Sequence, residues 1–101
     1  MSIRFTIAAQ LELEAAREWY EGRAPGLGSK FVDSVREAVA KIEAMPHAWQ
    51  RLGTRARRYR LDSFPYGIAY EVRSDDIIIA AIGHLRRRPA YWQSRVTKPK
   101  S

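Results

Sequence analysis

The chain has 101 residues, 46% of them hydrophobic, which suits one globular domain with a single core and is too short for two. It has no cysteine and only two histidines, so disulfides and thiolate metal sites are excluded, and we expect neither a metal nor another cofactor. No segment has the length and hydropathy of a signal peptide or a membrane span, which predicts a cytoplasmic protein without a membrane partner.

Charge is distributed unevenly along the chain. The formal net charge is +7, but residues 1–45 carry six lysines and arginines against seven acidic residues, whereas residues 46–101 carry twelve against four. Ten of those twelve cations are arginines, whose planar guanidinium suits phosphates and carboxylates. A one-sided basic field attracts polyanions, so the C-terminal half is predicted to face nucleic acid or an acidic protein. The alternative is a solvated surface that only keeps the protein soluble.

In the N-terminal half, apolar and polar residues first alternate with period two and then follow a helical period. Residues 2–7 predict a short strand, a helix follows from about residue 8, and residues 23–26 form a turn. A second helix is predicted over residues 27–45, ended by Pro46. Two such helices form an antiparallel hairpin with one apolar side. Its apolar positions are Ala9, Leu13, Ala16, Tyr20, Leu27, Phe31, Val35, Ala38, Ile42 and Met45.

The C-terminal half is rich in strand patterns. Alternating residues predict strands over 57–62 and 66–73, and the apolar run 77–82 predicts a central strand covered on both faces. Residues 89–95 predict a short helix with proline in its first turn, and residues 96–101 predict a disordered tail.

This order of elements predicts a single domain over residues 1–95. The helix hairpin has to bury its apolar side against one face of the sheet. The other face, which carries Arg58 and Arg60, is then expected to be free for a partner.

An ordered set of residues covers nearly the whole chain. It comprises the segments 64–70 (FPYGIAY), 77–82 (IIIAAI), 84–89 (HLRRRP) and Tyr91–Trp92, preceded by Ala16, Trp19–Tyr20, 26–28 (GLG), Phe31 and Pro46. In this order the set resembles the RelE/ParE superfamily of toxins from type II toxin–antitoxin systems, often called plasmid stabilisation proteins. The resemblance implies an α+β fold in which a helix hairpin packs on a small antiparallel sheet, with a short C-terminal helix.

The resemblance also implies a partner. This would be a co-expressed, acidic and partly disordered antitoxin that covers the basic surface, with operator DNA contacted only through that antitoxin. Relatives of RelE cleave messenger RNA on the ribosome, whereas relatives of ParE poison DNA gyrase, and the fold alone does not choose between them. A third hypothesis is a non-toxic remnant that only binds the antitoxin and serves autoregulation.

Metal-free RNA cleavage needs a base for the 2′-hydroxyl, an acid for the leaving oxygen and cations for the charged phosphorane. Histidine is the side chain that exchanges protons most readily near neutral pH. The candidates for catalysis are His84, Arg88 and Tyr91. The candidates for binding nucleic acid or the antitoxin are Arg58, Arg60, Arg86, Arg87 and Arg95. Glu71 is a weaker candidate for a second base.

Each candidate also has a structural interpretation. A histidine at a strand end is often a hydrogen-bonded structural residue, arginines 86–88 fit a solvated sheet edge, and Tyr91 and Trp92 fit packing anchors. The nuclease hypothesis is weakened because RelE uses paired lysines near its second strand, and this chain has no lysine between Lys41 and Lys98. Arginine is a poor proton shuttle at neutral pH. If His84 does not carry the acid–base chemistry, the protein acts by binding.

Overall fold

The computed structural model describes residues 2–87, 91, 92 and 95. In this part of the chain the elements are β1 (Ser2–Phe5), α1 (Ile7–Arg23), α2 (Leu27–Ala44), β2 (Gln50–Leu52), β3 (Ala56–Arg60), β4 (Tyr66–Arg73) and β5 (Asp76–His84). The helix predicted over residues 89–95, apart from positions 91, 92 and 95, and the tail predicted over residues 96–101 lie outside the described residues. Neither described helix is long and apolar enough to cross a membrane.

The five strands form one sheet in the order β1-β5-β4-β3-β2. From β2 to β5 neighbouring strands are antiparallel, but β1 lies parallel to β5, with Phe5 opposite Ile79. The predicted α+β class with a helix hairpin on a sheet is confirmed, whereas the sheet is mixed instead of wholly antiparallel. The reason is the chain path: after the helix hairpin β2 runs opposite to β1, and the three reversals from β2 to β5 bring β5 back to the direction of β1.

The short edge strand β2 is absent from the sequence prediction. Its three residues show no alternation of apolar and polar side chains, so the pattern carries no strand signal. The turn that joins it to β3 contains Gly53 with φ of 69°, a left-handed conformation that favours glycine. The other predicted strands are present, with β4 at the predicted bounds and β3 and β5 shifted by one or two residues at their ends.

Local features explain where α1 begins and where α2 ends. The Thr6 hydroxyl accepts a hydrogen bond from the Ala9 N–H at 3.1 Å, so Thr6 caps α1 and β1 stops at Phe5, earlier than predicted. At the other end, α2 stops at Ala44. Met45 has left the helical conformation, with φ −142° and ψ 71°, and its side chain is 58% exposed. The prediction that Met45 belongs to the apolar stripe is therefore wrong.

The main core lies between the helix hairpin and one face of the sheet. The rest of the predicted helix stripe is confirmed as buried or half-buried. It packs against the sheet residues Tyr59, Leu61, Ile68, Tyr70, Ile77, Ile79 and Ile82. At one end, the ring centroid of Phe31 lies 5.2 Å from those of Tyr20 and Phe64 and 5.1 Å from that of Tyr66. This aromatic cluster joins both helices to β4 and to the loop before it.

The opposite face of the sheet carries a second, smaller core. We call it the alanine face, and it consists of Ala56, Ala69, Ala80 and Ala81 with Trp92 packed on them. Strand β5 is therefore covered on both faces, as its apolar sequence predicted. The expectation that this face is wholly free is wrong, because Trp92 is only 4% exposed and the half-buried Tyr91 packs beside it. Arg60 is exposed, as predicted.

We expect Phe31→Ala to lower the free energy of unfolding by about 3–5 kcal/mol, because it removes a fully buried ring from the aromatic cluster. Leu11→Ala is the matched control, since Leu11 lies on α1 with 65% of its surface exposed and should change stability by less than about 0.5 kcal/mol. Chemical denaturation followed by circular dichroism measures both. Equal losses in the two variants would contradict this core.

Candidate functional site

A small cleft of about 20 Å³ lies where β5 ends beside the alanine face. We call it the His84 cleft, and among its lining residues are the predicted site residues His84, Arg58, Arg87 and Tyr91. Two glycines that face each other across β4 and β5 make room for these side chains. A Cβ on Gly83 would collide with the Tyr91 hydroxyl, and a Cβ on Gly67 would lie 3.0 Å from Cδ of Arg58. Because Gly67 and Gly83 have no side chain, the predicted residues Arg58 and Tyr91 have room beside the strands.

His84 is held in place at the last position of β5. Its ring packs edge-on against Tyr66, the residue opposite it on β4, with 5.4 Å between ring centroids. Its Nδ1 accepts a hydrogen bond from the backbone N–H of Arg86 at 3.1 Å. A neutral imidazole that accepts at Nδ1 carries its proton on Nε2, so Nε2–H is the donor that this histidine can offer a ligand.

Tyr91 lies between two guanidinium groups and a carboxylate. The guanidinium carbon of Arg87 is 3.7 Å from the ring centroid of Tyr91, and that of Arg95 is 5.0 Å away. The Tyr91 hydroxyl donates a hydrogen bond to Oε2 of Glu12 at 3.0 Å. Burial, together with the Glu12 carboxylate, raises the pKa of Tyr91 to about 12, although the two nearby arginines lower it. The phenol is therefore neutral at physiological pH and is committed as a donor to Glu12.

Glu12 is the common partner of the groups around the cleft. Its Oε1 accepts from Nη1 of Arg95 at 2.9 Å, and its Oε2 lies 3.5 Å from Nη1 of Arg87. Together with Tyr91 these residues form what we call the Glu12 cluster. The carboxylate is only 15% exposed, and the hydrogen bond and charge it offers raise the pKa of Arg95. Glu12 therefore ties α1 to residues more than seventy positions further along the chain.

The Glu12 cluster also completes the edge of β5. Strand β1 pairs with β5 only as far as Ile79, so the backbone groups beyond it have no strand partner on that side. Oε1 of Glu12 accepts a hydrogen bond from the Ile82 N–H at 2.9 Å. The Ala80 carbonyl accepts from the Arg95 guanidinium at 3.2 Å. A buried backbone group without a partner costs about 1–3 kcal/mol, so these side chains stabilise the strand end.

Arg58 has an incompletely satisfied guanidinium. Its side chain reaches the His84 cleft from β3, and its Nε is buried without a hydrogen-bond partner among the described residues. A buried cationic N–H in that state favours an anionic or carbonyl ligand. Arg58 is thus the predicted binding residue with the clearest unused donor.

The remaining predicted residues fall into different places. Arg86 and Arg87 are exposed, and Arg88 lies outside the described residues. Arg95 makes the internal ion pair with Glu12. Glu71 is 4% exposed and bonded to Arg73 near the other end of β4, so it is not part of the His84 cleft. Within the described residues, no three His, Asp or Glu side chains are grouped as a metal would require.

Glu12 was not among the site residues predicted from the sequence. In the pattern of α1 it falls among the polar positions, which are ordinarily solvated. Its partners lie seventy or more residues away in the sequence. The nearest signal was the pair Gly67 and Gly83, which marks a close approach between strands and a side chain.

Comparison with known proteins identifies the family. The model of the family described as "ParE toxin of type II toxin-antitoxin system, parDE" matches residues 3–89. The chain belongs to the ParE toxin family. This confirms the RelE/ParE resemblance read from the sequence.

A solved structure supports the same fold for this ParE-family chain. A chain of the structure described as "Chromosomal ParDE TA system from P. aeruginosa" superimposes with a TM-score of 0.64 and is 21% identical. The alignment covers 83% of this chain and 95% of that chain. At this identity the similarity concerns the fold alone. No curated protein sequence matches this chain.

We expect Glu12→Gln to lower the pKa of Tyr91 from about 12 towards the ordinary tyrosine value, because the carboxylate that raises it is removed while the burial remains. A titration of the Tyr91 ring carbon by NMR measures this pKa directly. Glu14→Gln is the matched control, since Glu14 lies on the same helix with a 61% exposed side chain. An unchanged Tyr91 pKa in Glu12→Gln would show that the Glu12 cluster does not form.

The raised pKa of Tyr91 also predicts a loss of stability at alkaline pH. Its folded-state pKa of about 12 lies above the unfolded value of about 10, so its contribution is complete below pH 10 and is lost as pH rises towards 12. Tyr91→Phe should therefore show a shallower decline of the free energy of unfolding between about pH 10 and pH 12. Urea denaturation at a series of pH values gives the slopes. Identical slopes in both proteins would contradict this role of Tyr91.

Proposed function

We propose that this ParE-family chain is the toxin of a type II pair and arrests growth by binding DNA gyrase, without cleaving RNA. We further propose that an acidic antitoxin holds it silent until that partner is lost. Family membership supports the toxin role, and the contacts around Tyr91 support a mechanism based on binding.

The observation that carries the proposal is the commitment of Tyr91 to Glu12. Efficient general acids and bases have pKa values near the working pH, whereas the pKa of Tyr91 is raised to about 12. Its hydroxyl proton also already has an acceptor at 3.0 Å. Among the described catalytic candidates, His84 would therefore have to act as both base and acid, with arginines that do not exchange protons at neutral pH.

The basic surface supports an acidic antitoxin. Residues 46–101 carry twelve lysines and arginines against four acidic residues, and Arg60, Arg86 and Arg87 are exposed. An acidic segment laid over these arginines would gain charge-assisted hydrogen bonds and would cover the His84 cleft. We propose Arg58, Arg60, Arg86 and Arg87 as contacts for the antitoxin or the target.

Ribosome-dependent RNA cleavage is the second candidate function. One observation favours it: His84, Arg58, Arg87 and Tyr91 line a single cleft, and Arg58 has a buried donor without a partner. Cations beside a histidine could stabilise a phosphorane, as the sequence analysis proposed. In that case Arg88 and Tyr91 would join His84 in catalysis.

Induced expression of His84→Gln without an antitoxin separates the two functions. Under the gyrase proposal the variant should arrest growth as fully as the unmodified chain, with gyrase-linked DNA breaks and intact messenger RNA. Glutamine keeps a hydrogen-bond donor and acceptor at the strand end but cannot exchange a proton at neutral pH. Arg36→Gln is the control, because Arg36 is exposed on α2 and does not line the His84 cleft.

Loss of growth arrest in His84→Gln alone, together with cut messages in cells expressing the unmodified chain, would replace the gyrase proposal by the nuclease. Antitoxin binding, measured by co-purification, should persist in either case. Normal growth with the unmodified chain would leave only the non-toxic binding module.

A further inference from the structure

A second and much larger cleft lies at the other end of the sheet from His84. Its volume is about 560 Å³, and it is formed by the turn between β2 and β3, the turn between β4 and β5, and the segment after α2. We call it the arginine cleft, because Arg51, Arg55, Arg57 and Arg73 line it together with His47 and Glu71. None of these arginines was a candidate from the sequence alone.

The positive charge of the arginine cleft is not balanced from within. Glu71 is its only carboxylate among the described lining residues, and it is buried and bonded to Nε of Arg73 at 3.0 Å. Arg57 donates to the Trp49 carbonyl at 2.8 Å, and Arg51 donates to the Thr54 carbonyl at 3.2 Å. These acceptors are neutral, so they orient the guanidinium groups but leave their charge in place.

The register of the hairpin places two of these arginines opposite each other. Arg51 and Arg57 are directly opposite each other on β2 and β3. Like charges at such a cross-strand pair destabilise a sheet. An anion bound between them would turn this repulsion into attraction, so the hairpin is built in a way that favours an anionic ligand.

We infer that the arginine cleft binds the phosphodiester backbone of a nucleic acid. Arginine binds phosphate oxygens through two parallel N–H donors, and the described lining of the cleft contains four arginines and no lysine. An acidic protein fits less well, because the hot spots of protein interfaces combine arginine with apolar or aromatic anchors. The described lining offers only Ala56 and Val72 for that purpose.

The same lining determines the kind of recognition. The described lining of the arginine cleft contains no phenylalanine, tyrosine or tryptophan, and His47 is its one ring that could stack on a base. Contacts to phosphates position a nucleic acid but do not select its sequence. The site therefore binds nucleic acid without sequence preference. This inferred binding is the same for either proposed target, since a gyrase–DNA complex and a ribosome both present a phosphodiester backbone.

The test compares two double variants of the full chain that remove equal charge. Arg51→Ala/Arg55→Ala removes two of the four arginines that line the cleft. Arg23→Ala/Arg36→Ala removes two exposed arginines of the helix hairpin. Binding of labelled oligonucleotides of about 16 nucleotides is followed by fluorescence anisotropy at several salt concentrations. Single-stranded RNA, single-stranded DNA and duplex DNA are measured separately, which distinguishes the source of the phosphodiester.

We expect the cleft variant to weaken binding at least about tenfold and to reduce the slope of log affinity against log salt by about 2. The helix-hairpin variant should bind within about twofold of the unmodified chain. Should the cleft variant lose its fold by circular dichroism, Arg51→Gln/Arg55→Gln replaces it, with the same expectation.

Three results would overturn the inference. The first is no binding by the unmodified chain, and the second is an equal loss in both double variants, which would reflect net charge alone. The third is competition by poly-glutamate as effective as that by an unlabelled oligonucleotide of equal charge, which would assign the cleft to an acidic protein.

Discussion

The burial of β5 is the constraint on which the rest of the structure depends. Its residues from Ile77 to Ile82 are apolar, so both of its faces have to be removed from water. The helix hairpin covers one face. On the other face, alanines leave room for the indole of Trp92. Because β1 pairs only as far as Ile79, the end of the strand depends on side chains from α1 and from the C-terminal segment.

The side chains that bond the end of β5 also form part of the candidate functional site. The carboxylate of Glu12 bonds the free edge of β5 and also holds Tyr91 and Arg95, and in doing so it brings Tyr91 beside His84. These contacts occupy the Tyr91 hydroxyl and the Arg95 guanidinium, which supports the proposed mechanism by binding. The arginine cleft differs, because Arg51 and Arg57 donate to neutral carbonyls, whereas its one described carboxylate, Glu71, is bonded to Arg73.

The sequence patterns predicted the structure most accurately where regularly spaced apolar residues are buried in the core. The positions from Ala9 to Ile42 on the two helices, and strand β4, lie where periodicity placed them, because burial of one face imposes a regular spacing. The patterns failed at β2, which is too short to show a period, and at Met45, which lies just past the helix end. Of the site, His84 and the arginines were identified by residue type. Glu12 was missed because a charged residue on a helix is ordinarily solvated.

By itself, the sequence determined the α+β class, the helix hairpin, the central apolar strand and the concentration of arginine in the second half, since these depend on local spacing and composition. The tertiary structure alone decided which distant groups meet. It placed β1 parallel to β5, set Glu12 against Tyr91 and Arg95, and put Arg51 opposite Arg57. Such pairings depend on the register and path of the whole chain, and a local pattern carries no information about either.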